Sequence, residues 1–523
     1  MLKPLLTFLV LSLVTLFLFT ACGNGQTPEE TGPSESGSSY GESATEPVTE
    51  ASTEAETTMN LPTGVKGRNP IISTLFTADP SAHVFDGKLY IYASHDVFPS
   101  RGCDLMDKYH VFSTTNMVDF ADEGEILASS DLSWGASGFM WAPDCAEKDG
   151  KYYFYFPHPE STENWNSTWR CGVAVSRSPA GGFEDAGMLE NEDGSFVGEP
   201  DGTGHDYGSM IDPCVFKDSD GTYYLFIGGG SHLYYAKLAS DMLGLDEPLK
   251  EIPSSQCPDF HEGSWVFKRD TTYYLMYADN ASGGNCMRYC TADSVDGPWE
   301  YGGVFLTQVK DCDTTHGSIC EFKGNWYLFY HNAAISGNGT LRSVCIDKIE
   351  FGSDGSILPV VQTEDGVDAV GERVLIDPQK VCIADVSDEA AMAQYTQTKT
   401  YLASTFDYGG GCGFNGTAID NLHVAGSWFK VTGVDGGKGG KALVTVFYAT
   451  QDACATSLVN SSGDPSGDGY FLAMRGNNSW SDYSATATVL VDLNAGTDNY
   501  IQFTCGMFGA NVAKITVSVV PAE

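Results

Sequence analysis

Three carboxylates stand at the heads of β-prone runs in this 523-residue chain: Asp79 in Ala78-Asp79-Pro80-Ser81, Asp212 in Ile211-Asp212-Pro213, and Glu262 in His261-Glu262-Gly263. Two carboxyl groups flanking a glycosidic bond can hydrolyse it, one protonating the leaving oxygen while the other attacks carbon or activates water. An inverting centre holds the pair about 6.5–9.5 Å apart to admit that water, a retaining one about 5–5.5 Å, and sequence spacing does not set this gap. Asp79 and Glu262 can fill the two roles. Asp212, as a third negative charge, would repel charge on Glu262 and keep it protonated. Trp141, in Trp141-Ala142-Pro143, offers an apolar face to a sugar ring, although core packing is the commoner fate of such a residue.

A repeat brings these positions together. Five segments pair a polar or Gly turn with an aromatic β-run: Asp86-Gly87 before Lys88 to Tyr92, Asp149-Gly150 before Lys151 to Tyr155, and Asp220-Gly221 before Thr222 to Phe226. Asp270-Thr271 before Thr272 to Tyr277 and Lys323-Gly324 before Asn325 to Tyr330 complete the set. Their spacing suits four-stranded blades, so the expected fold is all-β, a five-bladed β-propeller. Asp-Gly between strands reads as a hairpin, because Gly accepts the positive φ that a tight turn needs. Eight or nine positions before each turn stand Asp79, Trp141, Asp212, Glu262 and His316. Equivalent positions in a radial repeat converge on one funnel. Any one of these Asp residues would pass as a turn residue, but carboxylates recurring where strands enter a crowded channel are costly unless charge is useful there.

These motifs, with Thr315-His316-Gly317-Ser318, resemble glycoside hydrolase family 43 from about Asn69 to Ile376. The resemblance implies an inverting enzyme with Asp79 as general base, Asp212 as orienter and pKa modulator, and Glu262 as general acid. It implies that His316 lies near the propeller axis and helps hold a metal ion, commonly calcium, largely through water, and it calls for no organic cofactor. It narrows the substrate to plant cell-wall glycans, and Ala78 to Asp96, closing on Ser94-His95-Asp96, is most similar to the β-xylosidase and α-L-arabinofuranosidase branches. Arabinanase or galactanase action, or a non-catalytic glycan-binding lipoprotein, are the alternatives. A fructan hydrolase would open on Asn-Asp-Pro, where this chain has Ala78-Asp79-Pro80. Arg288 is a candidate sugar contact through its forked guanidinium.

The blade pattern ends near Ile376, and Gly-rich, alternating strands follow: Trp428 to Val431, Ala442 to Tyr448, Ala485 to Val491 and Lys514 to Val519. They predict a β-sandwich, and the region resembles carbohydrate-binding module family 6, a jelly roll. Trp480 and Asn511 match that family's binding positions, while Trp428 reads as core. A sandwich that merely shields a propeller edge is the rival reading.

Residues 1–21 carry an apolar run ending in Phe19-Thr20-Ala21-Cys22, which reads as an export signal with Cys22 as the lipidated residue. A Ser/Thr/Glu-rich acidic tether over 22–64 cannot bury a core, leaving 65–378 for the propeller and 379–523 for the sandwich. The expected location is the extracellular face of a bacterial membrane, reached only through the lipid anchor. A net charge of -41 argues against nucleic acid or an anionic membrane surface as partner, and a monomer is expected. The 15 cysteines are not read as a disulfide framework, since several sit in apolar strand-like runs where a thiol behaves as a small hydrophobe.

Overall fold

The computed structural model describes residues 67–522, apart from 98–101, 201–208, 281–283, 378–379, 383–391 and the single positions 425, 453, 466, 468 and 507. The expected export signal, Cys22 and the tether lie outside the described residues, as does the expected boundary at 378/379. The fold is all-β.

Five antiparallel meanders follow one another. The first holds β1 (Phe76–Phe85), β2 (Lys88–Asp96), β3 (Lys108–Thr114) and β4 (Phe120–Ala128). The second holds β5 (Asp144–Lys148), β6 (Lys151–Pro159), β7 (Trp169–Ser176) and β8 (Glu184–Met188). β9 (Cys214–Lys217), β10 (Tyr223–Ile227), β11 (Tyr234–Lys237) and β12 (Lys250–Glu251) form the third. β13 (Glu262–Arg269), β14 (Thr272–Ala278), β15 (Met287–Ala292) and β16 (Glu300–Leu306) form the fourth. The fifth has three strands, β17 (Gly317–Phe322), β18 (Asn325–Asn332) and β19 (Ser343–Ile349). Four strands were expected in each sheet. In the fifth, the outer edge is met instead by the N-terminal segment, where Ile71 N–H donates to Val344 O at 2.8 Å and the Asn69 side chain both donates to and accepts from Ile346.

Each sheet begins on the strand that lies beside the first strand of the next: β1 by β5, β5 by β9, β9 by β13, β13 by β17, and β17 back against β1. Apolar clusters fill every gap between neighbouring sheets, including the one where Phe322 and Phe329 of the fifth meet Ala82 and Leu89 of the first. Polar ties cross the same gaps. Buried Asp144 accepts from Ser81 Oγ and lies 2.6 Å from His83 Nε2, and Val215 N–H donates to its other oxygen. Ser318 Oγ accepts from Ala82 N–H at 3.0 Å, and Trp265 Nε1 donates to Ile319 O at 2.9 Å.

The turns follow their residue types. Asp86-Gly87, Asp149-Gly150 and Lys323-Gly324 have positive φ at both positions, as a two-residue hairpin requires. Asp220-Gly221 instead ends a longer loop in which Gly221 N–H donates to Asp218 O.

The later strands make two antiparallel sheets. One orders β22 (Gly413–Phe414), β23 (Ile419–Asp420), β30 (Asn511–Val519), β25 (Gly440–Ala449) and β28 (Ala485–Leu493), with β20 (Gln397–Leu402) also on β30. The other orders β21 (Asp407–Gly409), β24 (Trp428–Val434), β29 (Asn499–Cys505), β26 (Cys454–Ser461) and β27 (Tyr470–Arg475). Phe429, Val431, Ile501 and Phe503 of the second sheet share one core with Val444, Val446, Val491 and Ile515 of the first. The thirteen cysteines whose side chains are described are free thiols.

Candidate active site

The head-of-strand positions sit where the pleat is broken. Asp79 has φ 52° and Asp212 φ 55°, each directly before a proline. A left-handed conformation at a non-Gly residue is uncommon, and Asp tolerates it better than most. The β1–β2 register shifts between Ala78 and Ser81, and the β13–β14 register shifts between Glu262 and Trp265, where Gly263 has φ 70°. Such bulges re-aim a side chain at a strand end, and here they lie at two of the three carboxylates.

Asp79 is buried and fully partnered. Arg342 Nη1 donates to Oδ1 at 3.0 Å and Ser94 Oγ to Oδ2 at 3.2 Å, while its own N–H donates to His331 Nδ1 at 3.1 Å. Burial raises its pKa, but the Arg342 guanidinium, the His316 and His331 imidazoles and Ser94 outweigh that, so the group lies below the ordinary carboxylate value. Arg342 is itself fixed by Asp96, with Nε and Nη2 each 2.9 Å from one carboxylate oxygen and its backbone N–H at 2.8 Å. That two-pronged pairing sets the plane of the guanidinium.

Asp212 differs. Gly263 N–H donates to Oδ2 at 2.8 Å, yet burial and the charges of Glu262 and Asp79 push its carboxyl well above the ordinary range. The sequence-based expectation had Asp212 raising Glu262; the tertiary structure raises Asp212 itself, because it is the more deeply buried of the two. Glu262 keeps 23% of its side chain exposed. Asn280 Nδ2 donates to Glu262 Oε1, and Asn280 Oδ1 accepts from Thr315 N–H at 2.9 Å.

His316 Nδ1 lies 3.8 Å from Asp79 Oδ1 and 3.7 Å from Asp212 Oδ2. Burial keeps this imidazole below its ordinary pKa despite the carboxylates. His331, held at about 3 chiefly by burial, is neutral, and its Nε2 lies 3.1 Å from Thr314 O. Because Nδ1 accepts from Asp79 N–H, Nε2 is the protonated nitrogen.

The expected metal role of His316 is one exercised largely through water, and direct ligation by three side chains is not part of it. Among the described residues no group of three or more His, Cys, Asp or Glu side chains is arranged to hold a metal ion directly. His316 beside Asp79 and Asp212 would offer one imidazole and two carboxylates to a water-held cation, and no step below uses a metal.

Trp141 is half-buried at the head of β5. Its indole lies 4.4 Å from that of Trp169, Nε1 donates to Cys103 O at 2.9 Å, and its carbonyl accepts from Tyr109 OH at 2.6 Å. Burial holds the Tyr109 phenol well above its ordinary pKa, with Asp79 adding to the effect. Arg288 is committed elsewhere, its guanidinium paired with Asp279 at 2.7 Å, Asp259 at 3.2 Å and Tyr301 at 2.9 Å. In the later region, Asn511 Nδ2 donates to Trp480 O at 2.8 Å, and Trp480 is 39% exposed.

Sequence reading missed Arg342, His331 and Asn280 as site residues. Ser94 and Asp96, two apart on one strand face, were within reach of a period-two reading. Arg342 follows a loop and carries no local signal.

The family model for glycosyl hydrolases family 43 matches residues 67–357. A xylosidase/arabinosidase from Humicola insolens is 35% identical over 344 residues, covering 55% of this chain and 98% of that protein. A xylosidase/arabinosidase from Bacteroides ovatus is 34% identical, covering 54% and 95%. An arabinoxylan arabinofuranohydrolase from Paenibacillus polymyxa is 25% identical over 521 residues, 87% of this chain and 76% of its own, so that likeness runs into the later sheets. With three carboxylates at matching strand heads and a family match over more than half its length, this chain belongs to glycosyl hydrolase family 43.

Proposed function

We propose that the enzyme is an inverting, exo-acting hydrolase that releases xylose or arabinose from hemicellulose. The observation that carries this reading is the placement of the carboxylates, with Asp79 paired to Arg342 at 3.0 Å and so held ionised, and buried Asp212 bound by the Gly263 N–H at 2.8 Å directly beside Glu262 in sequence, its carboxyl pushed up by burial. Asp79 draws a proton from water as that water attacks the anomeric carbon. Glu262 delivers its proton to the glycosidic oxygen as the carbon–oxygen bond breaks. Asp212 keeps a proton within the pair until the leaving group needs it. The names of the Humicola and Bacteroides relatives support the choice of pentose.

The frame for this chemistry is a five-bladed propeller over 65–378, supported by the five consecutive sheets whose first strands follow one another back to β1. The later region, 379–523, is a jelly-roll sandwich that presents Trp480 and Asn511 to glycan. A structural role for it is favoured by Phe471, whose ring meets Phe76 edge-on at 4.9 Å. The apolar run ending at Cys22 supports export and lipid anchoring outside the cell membrane.

Release of nitrophenol from nitrophenyl β-xyloside and α-L-arabinofuranoside by wild type and Glu262→Gln tests the acid: wild type should turn over at least one and the variant neither. Equal release by both proteins removes Glu262 from the role. NMR of the first anomer formed decides Asp79, since retained configuration would contradict a general base there.

A further inference from the structure

Trp165 is a large apolar side chain left 37% exposed. It opens a single 3-10 turn, Trp165–Ser167, in the loop between β6 and β7. That loop is pinned at its base: Glu160 N–H donates to Thr168 O at 3.0 Å, Thr168 Oγ1 to Asn164 O at 3.0 Å, and Arg170 Nη2 to Glu160 Oε2 at 3.0 Å. The indole is braced from below as well. It stacks on Phe139 at 5.6 Å and 29°, and stands edge-on to Trp141 at 6.0 Å and to Trp169 at 6.3 Å.

The three indoles form a graded series. Trp169 is buried, Trp141 is half-buried at the head of β5, and Trp165 is exposed. Leaving indole surface in water forgoes about 25 cal/mol per Å² of burial, and a braced aromatic that gives up this stabilisation is preorganised to take a ligand with little loss of rotamer freedom. Trp141, the middle member, holds before the second turn the repeat position that Asp79 holds before the first. The chemistry of the series matches a pyranose ring, whose C–H face is apolar and whose hydroxyls point outward to water.

We infer that Trp165 is the stacking platform for an acceptor-side sugar, a xylose unit of the chain beyond the bond being cleaved, with Trp141 as the step between it and the carboxylates. The inference rests on the hydrolase reading above. It makes Trp165 a determinant of chain-length preference, not of bond cleavage.

The test compares methyl β-xyloside, whose leaving group is too small to reach the indole, with xylotetraose, in wild type, Trp165→Ala and Trp165→Phe. In Trp165→Ala, kcat/KM for xylotetraose should fall about tenfold, mostly through KM, while that for the methyl glycoside stays within about twofold. Trp165→Phe should recover most of the loss. A parallel loss on both substrates, or no loss on xylotetraose, overturns the platform. Calorimetric titration of wild type and Trp165→Ala with xylotetraose reads the same contact without turnover, and equal affinities would also overturn it. Wild type that binds xylotetraose through Trp165 but releases no pentose would instead count against the hydrolase reading, so the two failures are distinct.

Discussion

Arg342 meets Asp96 across 246 positions of chain and through it reaches Asp79. This link keeps Asp79 ionised, as the proposed base must be. Asp79 and Asp212 are both buried, and without a fixed cation each would be pushed toward its neutral form. Arg342 is hydrogen-bonded to Asp79 and not to Asp212, so it acts most strongly on Asp79. Asp79 therefore stays ionised through the ordinary carboxylate range, so it should not limit activity in mildly acidic buffer. The alkaline limb belongs to the proton that Asp212 holds above the ordinary carboxylate range. Replacing Asp212 with Asn removes that titrating group, so the alkaline limb it sets should disappear, with a fall in kcat/KM of about 100-fold at neutral pH. A pH–rate profile checks this, and an unchanged alkaline limb would show that Asp212 does not set it. The carboxylates were legible because each heads a repeat unit. Arg342, His331 and Asn280 were not, because they lie at strand ends or beside loops with no periodic mark.

At the scale of elements, the heads of the first strands are held by close backbone approach. A Cβ on Gly317 would lie 2.0 Å from Phe329 O in the neighbouring strand, so the β17–β18 pairing admits no side chain there. Gly317 directly follows His316, and any shift of β17 moves the imidazole between Asp79 and Asp212. Gly317→Ala should destabilise the enzyme by about 1–3 kcal/mol and lower kcat, as read by denaturant unfolding and steady-state rates. Gly87→Ala is the contrast, since space there is open and only a positive φ of 78° opposes a side chain. If the two variants unfold alike, close approach is not what fixes the strand. The Asp-Gly turns were readable from residue type, whereas the bulges at Ala78 and Glu262 were not, because a bulge follows from how a neighbouring strand is engaged.

At the scale of the whole molecule, distant parts of the described chain are sewn together, as three ties illustrate. The N-terminal segment runs along β19. Arg373 pairs with buried Asp119, both oxygens 2.8 Å from Nε, which fastens the stretch leading out of the fifth sheet to the first. Phe471 of β27 meets Phe76, the residue that opens β1 three positions before Asp79. The later sheets are thus coupled to the strand that carries the proposed base. Phe471→Ala should cost about 1–3 kcal/mol and split thermal unfolding into two transitions, visible by calorimetry. A single transition at the wild-type temperature would show that the two regions do not stabilise each other.

Residue order alone determined the all-β class, the five repeats, the three carboxylates and the membership that follows from them, because strand period, turn chemistry and head-of-strand position are local properties of a chain. What only the tertiary structure decided is the electrostatic division among those carboxylates. Which one stays charged depends on burial and on an arginine brought from 263 positions away in the chain, and neither distance nor depth is written in any local run of residues.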